Sequence, residues 1–113
     1  MGKRENARAV IPSGVLDLLI LRSLARGPKH GYDIAEHIER VSDDVLQLGE
    51  GTLYPTLQRL LIKGWVVAEW GLSANNRRAR YYRLTAAGRK QLGSEMAAYQ
   101  RVAAAIAKVL APA

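Results

Sequence analysis

A chain of 113 residues carrying a net charge of +7 has the length of one domain, enough for a modest core and short for an enzyme built around a deep cleft. It has no cysteine, which excludes a disulfide framework and a cysteine-ligated zinc site. The basic balance points to a polyanionic partner, and its distribution sharpens this: from Gly71 to Ser94 there is no acidic residue, while Arg77, Arg78, Arg80, Arg83, Arg89 and Lys90 all fall there.

The opening, MGKRENARAVIP, is basic and polar and reads as a flexible arm over residues 1–12. No signal-type apolar region follows it, and Asn6 stands where a myristoylation motif needs Ser or Thr. The apolar run from Val15 to Leu21 is interrupted by Asp17 and is far too short to span a membrane. A soluble, cytoplasmic protein with no membrane partner is expected. Ser13 is placed to cap a first helix over about residues 14–26. Val15, Leu16, Leu18, Leu19, Ile20, Leu21 and Leu24 nearly encircle that helix, so it has to be buried, with the hairpin described below on one side and another element on the other. Arg26-Gly27-Pro28 ends it.

A second helix is predicted from about His30 to Val41, burying Tyr32 or Ile34 together with Ile38 and Val41. A connector from Asp43 to Gly49 follows. The third helix begins near Gly51-Thr52, just before Pro55, because proline is tolerated where amide donors are orphaned anyway. Leu53, Leu57, Leu60 and Leu61 make its buried stripe, and Gly64 ends it. Strands are predicted at residues 65–70 and 80–84, around a polar turn over residues 71–79 rich in Ser and Asn. Thr85 caps a last helix running to about Leu110. Its apolar positions Leu92, Met96, Tyr99, Ala103, Ile106 and Leu110 recur with the alternating spacing of a heptad, a seam suited to packing on a partner helix.

The fold class is therefore mainly α with a small β-hairpin. Two short helices, a third with a polar face and a basic hairpin make a winged helix-turn-helix over residues 13–84, with a C-terminal dimerisation helix over residues 85–113. In such domains the third helix points its N-terminal residues at base edges in the major groove. Thr52, Tyr54, Thr56, Gln58, Arg59 and Lys63 lie off the leucine stripe and supply the chemistry. Glutamine bonds adenine bidentately, arginine bonds guanine, and hydroxyls reach phosphate or base. At the hairpin tip, Asn76, Arg77 and Arg78 are placed to meet phosphates or enter a minor groove. Arg80 and Arg83 alternate to opposite faces of their strand, and one of them is available to pair with Glu69. Tyr81 and Tyr82 divide in the same way, one into the core. Trp65 and Trp70, at strand ends, read as core or interface anchors.

His30 and His37 share a face of the second helix without a third ligand, so they read as a cap and a surface histidine rather than a metal site. No nucleophile stands with a base and an orienting partner, and no glycine-rich phosphate loop is present, so neither an enzyme nor a bound cofactor is expected. A different class of function for the same fold is a protein-interaction module whose basic wing docks an acidic protein.

The strings HGYDIAEHI, GTLYPTLQRLLIKGW and NNRRARYYRLTAAGRKQL resemble the PadR family of bacterial transcriptional regulators over about residues 12–95. The single C-terminal helix is similar to the small subgroup, and DVLQLGEGTLYP resembles members of acidobacterial type. The resemblance implies a homodimeric repressor of an inverted-repeat operator in double-stranded DNA. It assigns Thr52, Tyr54 and Pro55 to the DNA surface, with Arg77 and Arg78 on the backbone. It also implies a small hydrophobic effector held between the paired last helices on a tryptophan. This chain departs from that pattern, for its last helix has no tryptophan and offers Met96 and Tyr99 instead.

Overall fold

The computed structural model describes residues 11–113, so the expected basic arm lies mostly outside the described residues. In chain order the described elements are α1 (Ser13–Ser23), β1 (Lys29–His30), α2 (Gly31–Val41), α3 (Glu50–Ile62), β2 (Val66–Leu72), β3 (Arg78–Leu84) and α4 (Ala86–Leu110). The strands form one antiparallel sheet in the order β1-β3-β2.

The apolar girdle of α1 buries Leu16, Leu18, Ile20, Leu21 and Leu24. Its main cover comes from α4, α2 and α3 rather than from the wing, which the sequence had suggested for one side. The N-cap is Pro12, not Ser13: the Pro12 carbonyl accepts from the amides of Val15 and Leu16, both at 3.0 Å, and closes the first turn. The helix also stops at Ser23, short of the expected residue 26. Beyond it, Leu24, Ala25 and Gly27 donate to the carbonyls of Leu21, Arg22 and Leu24, which tightens the chain into successive three-residue turns.

α2 starts one residue after His30, whose Nδ1 accepts from the Asp33 amide at 3.3 Å. Ile34 and Ile38 carry its buried stripe. Of the alternatives Tyr32 and Ile34, Ile34 is the buried one and Tyr32 is 72% exposed, while Val41, expected in the core, is 63% exposed. The connector buries Leu48 on the α3 side of this helix, and its amide donates to the Glu39 carboxylate at 3.1 Å.

α3 begins at Glu50, earlier than expected, so Pro55 falls in its second turn. The bond Pro55 cannot make would have gone to the carbonyl of Gly51, which is exposed and open to water. Thr56 is buried, and its hydroxyl donates to the Thr52 carbonyl at 2.8 Å; its expected place on the polar face is corrected. At the other end Gly64, with a φ of +77°, closes a Schellman motif. The Trp65 amide donates to Leu60 and the Gly64 amide to Leu61.

Both long strands reach further toward the tip than predicted, leaving a loop of residues 73–77. The Ser73 amide donates to Arg77 at 2.8 Å and the Asn76 amide to Ser73 at 2.9 Å, while Asn76 takes a φ of +60°. That combination is a type I turn followed by one left-handed residue, a common three-residue hairpin closure. β1 was not predicted. Two residues carry no alternation to detect, and only pairing of Lys29 and His30 with Tyr82 and Tyr81 makes them a strand.

Thr85 caps α4 as expected, accepting from the Gly88 amide at 2.9 Å and donating to the Gly64 carbonyl at 2.7 Å. Gly88 lies so close to the α3–β2 junction that an added Cβ would stand 2.0 Å from the Trp65 carbonyl oxygen. Gly93, one turn and a residue further on, faces open space. Gly88→Ala is therefore expected to destabilise by about 2 kcal/mol or more through forced displacement of backbone. Gly93→Ala should stabilise by about 0.5–1 kcal/mol through lower chain entropy. Thermal melts at equal protein concentration should move in opposite directions for the two variants.

Candidate nucleic-acid interface

α3 divides cleanly into two faces. Leu53, Thr56, Leu57 and Leu60 are buried, and Thr52, Pro55, Gln58 and Ile62 form an exposed strip on the other side. Lys63, the C-cap, is also exposed, and its ammonium lies 4.8 Å from the Trp65 ring centre. Arg59 has a different engagement: its guanidinium pairs with the half-buried carboxylate of Asp17 on α1. That contact ties α3 to α1 and removes Arg59 from the free cations of the strip.

Tyr54 turns from the strip toward the start of α2. Its ring packs over Gly31, where a Cβ would come within 2.7 Å of the phenol oxygen. Burial raises the pKa of this phenol above its ordinary value, with the Glu50 carboxylate and Tyr82 acting in the same sense. Tyr54 therefore keeps its proton, and its donor capacity, throughout the neutral range.

The hairpin changes character along its length. On its inner face the cross-strand pairs are Val66 with Leu84, Ala68 with Tyr82, Trp70 with Arg80, and Leu72 with Arg78. Val66, Tyr82 and Leu84 are buried, whereas Trp70 and Leu72 are 62% and 64% exposed. The hairpin thus projects beyond the core by two cross-strand pairs. There the Arg78 guanidinium lies 4.6 Å from the Trp70 ring centre, a stacking that narrows its freedom before any partner arrives. Arg80 lies over Tyr82 at 5.8 Å on this same face.

On the outer face Arg83 pairs with Glu69 at 3.1 Å and the Tyr81 hydroxyl donates to Leu72. The choice between Arg80 and Arg83 left open by alternation is thereby resolved, since Arg83 takes the carboxylate. Tyr82 is the tyrosine in the core. Between the projecting wing and the starts of α2 and α3 lies a cleft of about 470 Å³ lined by Tyr32, Tyr54, Trp70, Arg77, Arg78 and Arg80. Three arginines and the rings of Tyr32, Tyr54, Trp70 and Tyr82 face one space beside the α3 strip. Trp70 and Tyr32 were missed as members of this group. Counting by twos from a core Tyr82 would have aligned Trp70, Arg78 and Arg80, but Tyr32 depends on how α2 is set against the sheet.

The two histidines separate. His30 caps α2, meets Asp33 at 3.2 Å and sets its ring 5.5 Å from that of Tyr81. His37 stands half-buried on the side of α2 that faces α1. Among the described residues no three His, Cys, Asp or Glu side chains come together as a metal site, and no helix is long and apolar enough to cross a membrane.

The expected seam on α4 is split by the fold. Leu92 is buried and Met96 packs against the chain's own core. Beyond them Tyr99, Val102, Ile106, Val109 and Leu110 are exposed, with Ala103 half-exposed among them.

Three helices, a projecting basic hairpin and a third helix with a free polar strip define a winged helix-turn-helix DNA-binding domain. The family comparison agrees: residues 20–94 match the transcriptional regulator PadR-like family, and the chain belongs to it. Its members regulate transcription rather than catalyse reactions. The chain is 35% identical over 86 residues to a transcriptional regulator of Mycobacterium tuberculosis, covering 76% of this chain and 77% of that one. A solved transcriptional regulator from Clostridium thermocellum superposes with a TM-score of 0.78 at 28% identity, over 87% of this chain and 95% of that one. Bacillus subtilis PadR, solved in complex with operator DNA, shares the fold with a TM-score of 0.66 at 24% identity, over 76% of this chain and 48% of its own.

The seat of Tyr54 is open to a titration test. The folded chain holds this proton to higher pH than the unfolded chain, so Tyr54 withdraws stability as pH rises through about 10 and beyond. Tyrosinate absorbance, taken as the difference from Tyr54→Phe, should show it ionising above the ordinary tyrosine range. Glu50→Gln should lower that ionisation, and an unchanged titration would mean that the carboxylate does not act on the phenol.

Proposed function

We propose that this DNA-binding regulator is a cytoplasmic, homodimeric repressor that reads an inverted-repeat operator. In this reading the strip of Thr52, Pro55 and Gln58 enters the major groove, with Tyr54 at its edge. Asn76, Arg77 and Arg78 grip the flanking backbone. The observation that carries the reading is the placement of that strip beside the wing cations Arg77, Arg78 and Arg80, which, among the described residues, have no carboxylate partner, Glu69 being taken by Arg83. Arg59 belongs to the scaffold in this account, because Asp17 already holds it. Lys63, at the far end of α3, adds a phosphate contact at most.

The dimer rests on α4. Tyr99, Val102, Ile106 and Val109 repeat at helical spacing and are exposed over the distal half of a 25-residue helix. At 1.5 Å per residue this helix is about 37 Å long, enough for its distal half to pack on a second copy. Pairing of that kind sets two α3 helices about one turn of duplex apart, which suits a palindromic site. A small hydrophobic effector would meet the same stripe, between Met96 and Tyr99 of the paired helices.

If each protomer neutralises ~3–4 phosphates, log K against log salt should fall with a slope of roughly −5 to −7 for the dimer. Arg77→Ala with Arg78→Ala should weaken binding on every sequence and flatten that slope. Gln58→Ala should instead relax preference at single operator positions. Gel shifts on selected and random duplexes separate these effects, and equal losses on both for Gln58→Ala would remove α3 as the reader. Tyr99→Asp with Ile106→Asp should give monomers by light scattering and a steep loss of operator affinity. A dimer surviving both changes would mean that the seam lies elsewhere.

A further inference from the structure

A second concave surface lies on the opposite side of α2 from the reading helix. α2 shows Ala35, Glu36 and Glu39 to α3 and turns His37, Arg40 and Val41 toward the end of α1. Between that side and α1 is a cleft of about 470 Å³ walled by Arg22, Arg26, Lys29 and Arg40, together with Ser23 and His37. Four permanent cations thus face one space. Among the described residues Arg22, Arg26 and Lys29 have no carboxylate within ion-pair distance; of the acids on α2, Glu36 reaches Arg40, at 3.5 Å, and Asp33 is engaged by His30. Cations gathered in this way repel one another unless an anion lies among them.

The surrounding chemistry favours an anion as well. Several carbonyls at the end of α1, which would oppose one, are already engaged: Arg22 and Leu24 accept from the following turn, and Ala25 accepts from Arg89 of α4 at 3.2 Å. That last bond brings a further guanidinium to the same turn. The His37 imidazole is kept from protonating by burial and then by Lys29 and Arg40, so it senses the positive field of the cleft. Next to the charged space lies an apolar hollow of about 220 Å³ lined by Leu19, Ile38 and Leu46, which shares Arg22, His37 and Val41 with it. Together they offer a charged seat for a head group and an apolar seat for a compact body, on the scale of small-ligand sites.

We infer that this cleft binds a small phosphate-bearing anion, its phosphates held by Arg22, Arg26, Lys29 and Arg40 and its body in the apolar hollow, as in a nucleoside polyphosphate. Guanidinium groups suit phosphate because their paired donors match its oxygens. Lys29 connects the site to the rest of the molecule. It lies on β1, pairs with Tyr82 of the wing strand and directly precedes His30, the cap of α2. A ligand that draws Lys29 toward the cleft therefore acts on the strand that holds the wing to the helices. This coupling to DNA rests on the reading of the wing given above, whereas the binding site itself does not.

Calorimetry on the full chain at fixed ionic strength, with pyrophosphate, ATP and adenosine, tests the site without DNA. ATP and pyrophosphate should each saturate one site per chain, ATP more tightly, and adenosine should bind far more weakly than either. Arg22→Ala with Arg26→Ala should weaken ATP binding at least about tenfold, as loss of charge-assisted bonds requires. Arg22→Ala with Arg26→Lys should recover part of the affinity lost by the double alanine variant, and melts should show every variant folded. The wing pair Arg77→Ala with Arg78→Ala should leave ATP affinity within about twofold, since it lies outside the cleft. An equal loss in the wing pair, or no saturable binding at all, overturns the site. Operator binding by the wild type should respond to ATP, and that of the cleft variant should not. A cleft variant that loses affinity for all DNA as the wing pair does would make the cleft a duplex contact and overturn the proposal. A saturable ATP site that leaves operator affinity unchanged would overturn the coupling.

Discussion

The junction of α3, the wing and α4 is closed by four short contacts among Gly64, Trp65, Thr85 and Gly88. The Thr85 amide donates to the Trp65 carbonyl at 3.1 Å, and the Thr85 hydroxyl donates to Gly64. The same hydroxyl caps α4 by accepting from Gly88, and the Gly88 Cα leaves no room for a side chain against the Trp65 carbonyl. One threonine and one glycine thereby fix where α3 ends, where the wing begins and ends, and where the long helix departs. Nothing bulky or flexible lies between these elements. The spacing from the α3 strip to the wing arginines, and from both to the exposed stripe of α4, is set by backbone contact rather than by adjustable side chains.

The distribution of ion pairs then sorts the cations by role. Asp17 takes Arg59, Glu69 takes Arg83, and Glu36 touches Arg40 at the rim of its cleft. The two exposed pairs, Glu69–Arg83 and Glu36–Arg40, contribute little to stability, so their consequence is chiefly one of availability. A guanidinium with a carboxylate beside it has less to gain from a phosphate than one without. Arg77, Arg78 and Arg80 on the wing and Arg22, Arg26 and Lys29 on the back of α2 are the cations left in two separate groups. The wing group is interleaved with Tyr32, Tyr54 and Trp70, whereas the other adjoins an aliphatic hollow. Two anion-seeking surfaces of different texture on so small a domain suit two different partners.

Much of this was legible in the chain. The leucine spacing of α3, the Thr85 cap, the extent of α4 and the asparagine-bearing turn all express local rules. The structure agrees with them except at element ends, where competing bonds move boundaries by a few residues. Val41 shows where such reasoning fails, because helical periodicity placed it in the core and packing leaves it exposed; between Tyr32 and Ile34 periodicity left the choice open, and packing buried Ile34. β1 could not be read at all, as a two-residue strand exists only through its partner. Arg59 is the most instructive case. By residue type and helix position it suits a base contact, yet a carboxylate 42 residues earlier in the chain claims it.

By itself, then, the sequence determined the kind of elements, their order, the basic hairpin beside a polar helix face and the family to which these belong. Those properties follow from backbone propensity, apolar periodicity and charge, each of which acts over a few neighbouring residues. Only the tertiary structure decided which cations remain available and that Trp70 and Tyr32 join the wing arginines. It also decided that the α4 seam is half core and half surface, and that α1 and α2 enclose a basic cleft. Those outcomes depend on which distant side chains are brought within a few ångströms of one another. Packing sets that proximity, and no local pattern encodes it.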